Sequence, residues 1–138
     1  RVETYIHHDS KSGVLLELNC ETDFVARNDE FKQLSKDLAL HVMAANPKYV
    51  RREDVPEEAV AEQKRIFMSQ VADKPAAIQE KIAVGKLDSW FAESVLLDQP
   101  FIRDDSKSVK DVIMAVNART GENISVARFA RFVVGEER

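Results

Sequence analysis

The fold is organised by residues 19–28, which read Asn-Cys-Glu-Thr-Asp-Phe-Val-Ala-Arg-Asn. Before this stretch, apolar side chains recur at every second position and predict a β-strand with one buried face: Val14, Leu16, Leu18 and Cys20. A helix is predicted to begin soon after it. The corner between strand and helix carries Asp23 beside Phe24, which leaves two interpretations. Either Asp23 caps the helix and Phe24 folds back onto the core, or the pair projects outward as a knob for a partner.

The elements on either side of this corner are predicted by local signals. Residues 2–8 alternate loosely and residues 9–13 supply turn residues, so the first two strands form an antiparallel hairpin. Asn28 is predicted to cap the following helix, which carries an apolar stripe: Phe31, Leu34, Leu38, Val42 and Ala45. Asn46-Pro47 ends that helix, because proline disfavours a helical residue before it.

Residues 54–87 predict two antiparallel helices that protrude from the body. Pro56 and Pro75 open the helices, and their apolar stripe is thin and surrounded by charges. Gly85 is expected to cap or break the second helix. Trp90 and Phe91 are then expected to return the chain to the core.

The last third of the chain predicts one more helix and one long strand. Ser108 and Asp111 form a variant of the capping box, and Gly121 is expected to end the helix in a left-handed conformation. Residues 124–134 alternate in part, and apolar side chains occur on both predicted faces. One face is expected to carry Ile124, Val126, Ala130, Phe132 and Val134, and the other Phe129 and Val133.

These elements predict one domain over residues 1–138 with an α+β fold. An antiparallel sheet of about three strands has helices on one face, and the helical hairpin of residues 54–87 protrudes from it. Because the last strand is apolar on both sides, something must cover the second face. A second copy of the sheet is the economical answer, so a homodimer is expected.

Composition and motifs exclude several classes of function. The chain has 138 residues, a net charge of −4 and a pI near 5.4, which disfavours nucleic acid as the main partner. No apolar run approaches the length of a membrane span. No cofactor or metal site is predicted, since His7 and His8 point to opposite faces of a strand. The one enzyme hypothesis, with Cys20 as nucleophile and His41 as base, is disfavoured because Cys20 continues a buried face.

Four segments resemble elongation factor Ts, the guanine-nucleotide exchange factor of elongation factor Tu. They are ELNCETDFVARND, HVMAANPKYVRREDVP, QPFIRDDSKSVKD and TGENISVARFARFVVGE, in the family's order and over nearly the whole chain. The resemblance implies an exchange factor without catalytic chemistry of its own, in the bacterial cytoplasm or in an organelle. It also implies a single-core member that dimerises. The family's N-terminal helical domain has no counterpart in these residues.

The same resemblance implies which residues meet the partner. Phe24 is expected to enter a gap between helices of elongation factor Tu with Asp23 beside it, disturbing the site of the nucleotide's Mg²⁺. Thr22 and Val25 are expected to hold this wedge in place. Thr120 and Gly121 are expected to form a second contact, although this chain has Thr120 where the family pattern has isoleucine. The alternative function is a dimerisation or structural module without exchange activity.

Overall fold

The computed structural model describes residues 1–136, so the last two residues of the predicted domain lie outside the described residues. Ten helices and strands follow one another in the order β1 (Val2–Ile6), β2 (Ser12–Asn19), α1 (Asp23–Ala26), α2 (Asp29–Ala45), α3 (Glu57–Gln70), α4 (Ala76–Ser94), β3 (Pro100–Phe101), β4 (Asp104–Ser108), α5 (Val109–Thr120) and β5 (Ser125–Val133). Short 3-10 turns at Arg52–Asp54 and Leu96–Asp98 join some of them.

The main sheet has three antiparallel strands in the order β1-β2-β5, with β2 in the centre. Leu16 of β2 lies opposite Glu3 on one side and Phe129 on the other. The α+β prediction, with about three strands, is therefore confirmed. The structure adds a small antiparallel pair, β3 with β4, which the sequence did not indicate.

A β-bulge corrects the predicted faces of the last strand. Leu18 lies opposite Val126 and Glu17 opposite Arg128, so one extra residue of β5 is inserted between these pairs. The bulge shifts the alternation by one position, and Val126 and Phe129 both reach the core side. The prediction that put Val126 with Ala130, Phe132 and Val134 is wrong, because period-two counting cannot register an inserted residue.

The core lies between the sheet and the helices α2 and α5. Its fully buried members come from both layers and include Leu16, Leu18, Phe31, Leu38 and Val109. The Asn28 side chain caps α2, accepting a hydrogen bond of 2.7 Å from the Glu30 N–H. This cap was predicted, and so was the apolar stripe, except that Ala45 is exposed at the end of the helix.

The helical hairpin is formed by α3 and α4, which pack mainly against each other. No residue of α3 is buried, as expected for a projection. The predicted break at Gly85 is wrong, because α4 continues through this residue to Ser94. An exposed glycine costs a helix only about 1 kcal/mol, and the burial of Ala83 and Leu87 on either side of it offsets that cost.

Trp90 and Phe91 also differ from expectation. Both are only partly buried and neither belongs to the core cluster. They lie near the C-terminal end of α4, where the Arg52 guanidinium sits 4.6 Å from the centre of the Phe91 ring. The pair therefore lies at the base of the hairpin, because α4 is about two turns longer than the sequence indicated and carries these rings outside the core.

Candidate functional site

The corner between β2 and α2 is held by Thr22. Thr22 has extended backbone angles, and its side-chain oxygen accepts a hydrogen bond of 3.3 Å from the Val25 N–H, which makes it the N-cap of α1. The interpretation in which Asp23 is the cap is therefore wrong. Asp23 is instead the first helical residue, where its negative charge complements the helix dipole.

The short helix α1 points the neighbouring side chains of Phe24 and Val25 in different directions. Val25 is 5% exposed and belongs to the core cluster, whereas Phe24 is 78% exposed. Successive residues of a helix are rotated by about 100°, so the burial of Val25 directs Phe24 away from the core. Phe24 does not fold back as a staple. Of the two orientations of Phe24 that the sequence left open, the structure shows the one in which the ring projects outward.

A second loop packs against this corner. Gly121 follows α5 in the left-handed conformation (φ 71°, ψ 14°), as predicted, and the chain turns back toward β2. The Glu122 carboxylate accepts hydrogen bonds from the N–H groups of Glu21 (3.1 Å) and Thr22 (3.3 Å), and a third from the Thr22 hydroxyl. In return, Glu21 accepts a hydrogen bond of 3.2 Å from the Asn123 N–H.

The structure therefore brings the two expected contact regions together. Thr22–Val25, at the start of α1, and Thr120–Gly121, at the end of α5, adjoin each other. The segments beside them are joined by hydrogen bonds between residues about a hundred positions apart in the chain. The Thr120 hydroxyl donates to the Val116 carbonyl oxygen (2.9 Å) and is turned back onto α5. Sequence reasoning missed the contributions of Glu21 and Glu122, because no periodicity or local motif relates side chains so far apart.

Phe24 has charged neighbours of both signs, because Asp23 precedes it in the chain and Arg27 lines the same shallow surface hollow. Within residues 1–136 the Asp23 carboxylate has no hydrogen-bond or ion-pair partner, and Asp29 is also exposed. Glu30 pairs with Arg119, which ties the start of α2 to the last turn of α5. An exposed aromatic ring next to an available carboxylate can enter an apolar gap and interact there with a donor or a cation.

Cys20 and His41 do not form a catalytic pair. The Cys20 thiol donates to the Thr22 carbonyl oxygen at 3.2 Å. His41 is fully buried: its Nδ1 accepts from the Ile102 N–H (3.2 Å), so Nε2 carries the proton and donates to Gln99 Oε1 (2.9 Å). Burial lowers the pKa of His41, against the opposing effect of the Gln99 hydrogen bond. Both ring nitrogens are occupied by structural partners.

The described residues provide neither a metal site nor a membrane-spanning helix. Within residues 1–136, no group of three or more His, Cys, Asp and Glu side chains is arranged to hold a metal ion. None of the helices in this part of the chain has the length and apolar character needed to cross a membrane.

Sequence relationships agree with this geometry. The family model described as Elongation factor TS matches residues 1–136. The chain is 54% identical over 136 residues to elongation factor Ts of Thermotoga neapolitana, an alignment that covers 99% of this chain and 69% of the relative. It is 54% identical to elongation factor Ts of Thermodesulfovibrio yellowstonii (98% and 68% covered) and 51% identical to that of an Anaeromyxobacter species (99% and 63%). The chain belongs to the elongation factor Ts family.

Proposed function

We propose that this chain promotes the release of guanine nucleotide from elongation factor Tu by inserting Phe24 between helices of that protein. The observation that carries the proposal is the position of Phe24, which is 78% exposed beside a buried Val25 on a corner fixed at both ends. A large apolar side chain on a rigid corner is the type of residue that dominates the binding energy of an interface. Asp23 accompanies the ring, and Thr22 and Val25 hold it.

The proposed task requires no catalytic group. An exchange factor must bind the nucleotide-free partner more tightly than the nucleotide-bound partner, and the coupling is reciprocal. Each tenfold loss of nucleotide affinity requires about 1.4 kcal/mol of such differential binding. An inserted wedge can supply it by stabilising one of two packing arrangements of the partner, with the nucleotide's Mg²⁺ site distorted in that arrangement.

Release of fluorescent GDP from elongation factor Tu tests this proposal. The chain is expected to accelerate release, and Phe24→Ala is expected to reduce the acceleration by about 30-fold, which corresponds to roughly 2 kcal/mol at an interface hot spot. Ile102→Ala is the matched control, because Ile102 is an exposed apolar residue outside the corner, 44% exposed. Equal acceleration by the chain and by Phe24→Ala would show that the ring is not the wedge.

Thr120 and Gly121 are proposed as a second contact with elongation factor Tu. They adjoin the wedge through Glu122, so one partner surface can meet both loops. Because the Thr120 hydroxyl already donates to the Val116 carbonyl oxygen of α5, it is not a free donor for the partner. The relatives named above are bacterial, and we propose the cytoplasm as the place of action.

We also propose that the chain forms a homodimer through the outer face of its sheet, the face away from α2. This face carries exposed apolar side chains at Val2 (64% exposed), Ile6 (66%) and Leu15 (48%), with Phe132 and Val134 beside them. A shallow hollow of about 590 Å³ on this face is lined by Ile6, Leu15, Phe132 and Val134 among others. A contiguous apolar face of this kind is typical of an interface, and a second copy would bury it sheet against sheet.

Sedimentation at micromolar concentration tests the dimer. The chain is expected to sediment at about twice its 15.6 kDa mass, and Leu15→Asp is expected to shift it to the monomer, since burying an unpaired charge is costly. Met114→Asp, at a 55% exposed position on α5, is the control. A chain that remains a monomer at these concentrations would contradict the proposal.

The alternative function, a dimerisation module without exchange activity, is favoured by this same outer face. The rate of GDP release from elongation factor Tu distinguishes the two functions. A module would sediment as a dimer and leave the rate of GDP release unchanged, whereas an exchange factor would raise that rate in proportion to its concentration.

A further inference from the structure

The Glu122 carboxylate has an unusual role for a loop side chain, because all three of its hydrogen bonds go to the corner that carries Phe24. Oε2 accepts from the N–H groups of Glu21 and Thr22, and Oε1 accepts from the Thr22 hydroxyl. The two N–H groups belong to the segment between the end of β2 and the start of α1. The Glu122 carboxylate is thus the acceptor for two backbone N–H groups of this segment.

The loop that holds Glu122 is itself fixed. Gly121 ends α5 with its N–H bonded to the Asn117 carbonyl oxygen, and the Asn117 side chain accepts a hydrogen bond of 2.8 Å from the Ile124 N–H. Glu21 completes the attachment by accepting from the Asn123 N–H. The two loops therefore hold each other through bonds in both directions.

This attachment matters because α1 is too short to define its own direction. It contains four residues, and the first turn of a helix is unfavourable without outside interactions. Its direction depends on the burial of Val25 at one end and on the Thr22 cap at the other. The Thr22 hydroxyl both donates to Glu122 and accepts from the Val25 N–H, so Glu122 orients the cap that starts the helix.

We infer that Glu122 is a positioning residue for Phe24: its carboxylate fixes the Thr22 cap and so the direction in which the ring projects from the free protein. The inference rests on the proposed function for its consequence in exchange, but the geometry it describes belongs to the chain alone. It predicts that Glu122 acts on elongation factor Tu through the wedge and not through a separate contact.

Two substitutions of Glu122 are expected to reduce the acceleration of GDP release to different degrees. Glu122→Ala removes all three acceptor bonds and is expected to lower the acceleration of GDP release per folded molecule by about tenfold, part of the loss expected of a hot spot. Glu122→Gln keeps one side-chain oxygen for the N–H groups and is expected to fall between Glu122→Ala and the unaltered chain. Glu80→Gln is the control, because that carboxylate only pairs with Lys64 on the hairpin.

A double substitution separates positioning from direct contact. If Glu122 acts through Phe24, the substitution Glu122→Ala is expected to matter less once the ring is gone. Added to Phe24→Ala, it is expected to lower the acceleration of GDP release by less than half of the factor by which it lowers that of the unaltered chain. A fold-loss that is fully retained in the double variant would overturn the inference. So would a Glu122→Ala chain that melts earlier but accelerates GDP release normally per folded molecule, since that is the result of a purely structural bond.

Amide hydrogen exchange of the free chain tests the geometry without the partner. Glu122→Ala is expected to raise the exchange rates of the Thr22 and Val25 amides by about tenfold or more, while the amide of Leu38 in α2 is unchanged. Unchanged rates at Thr22 and Val25 would overturn the inference. If Phe24→Ala leaves GDP release unaltered, the proposed function fails, and the amide rates still decide whether Glu122 positions the corner.

Discussion

Two phenylalanines a few residues apart provide a sharp test of the wedge geometry. Phe24 is 78% exposed, and Phe31 in α2 is completely buried in the core. A fully enclosed aromatic side chain buries about 150–250 Å², so Phe24, with roughly a fifth of its surface covered, buries on the order of 40 Å². At about 25 cal/mol per Å² this coverage contributes about 1 kcal/mol. Truncating a buried phenylalanine costs about 3–5 kcal/mol.

The prediction is therefore a difference between two alanine substitutions. Phe31→Ala is expected to lower the free energy of unfolding by about 3–5 kcal/mol and Phe24→Ala by about 1 kcal/mol or less. Urea unfolding at one fixed chain concentration measures both; with a slope of about 2 kcal/mol per molar urea, the midpoints fall by roughly 2 M and by 0.5 M or less. A Phe24→Ala midpoint as low as that of Phe31→Ala would refute the outward placement of the ring.

Three further predictions concern the body of the domain. Replacing residues 64–80 by a short Gly-Ser linker is expected to remove the tip of the hairpin and leave the far-ultraviolet circular dichroism of the remainder intact. The Lys64–Glu80 ion pair of the intact chain shows that the two ends of the replaced segment lie close together, so a short linker can join them; loss of cooperative unfolding would contradict this. Gly121→Ala is expected to cost about 1 kcal/mol, because φ is +71° and no side chain crowds the site; an unchanged urea midpoint would count against the left-handed cap. Burial lowers the pKa of His41 below the usual 6.5, so near pH 6.5 the unfolded chain binds a proton at this residue more readily than the folded chain does. The contribution of His41 to the free energy of unfolding is therefore fully present above about pH 6.5 and is lost as the pH falls toward the folded pKa. The midpoint should drop between about pH 7.5 and 5.5, and this drop should shrink in His41→Gln; an equal drop in both chains would assign it to other groups.

The exposure of Phe24 shows where reasoning from sequence ended. The sequence established that an aromatic residue and a carboxylate lie at a strand-to-helix corner, and the family resemblance added a role for them. The sequence offered Asp23 as the cap of the helix, but the helix is a one-turn element too short to have a periodicity that could test this assignment. The structure decided it, because Thr22 is the residue whose hydroxyl reaches both the Val25 N–H and the Glu122 carboxylate.

The sequence by itself determined the elements whose signals are local. The period-two pattern of β2 reflects neighbouring side chains that alternate between the two faces of a strand. The Asn28 cap of α2, the capping box at Ser108 and the glycine at the end of α5 act through bonds or backbone angles within a few residues. Each of these was predicted correctly. The tertiary structure alone decided three other features: the bulge in β5, the continuation of α4 through Gly85 and the attachment of Glu122 to the wedge corner. Each of these depends on packing or bonds between distant parts of the chain, which can outweigh a local preference of about 1 kcal/mol and leave no trace in the spacing of the sequence.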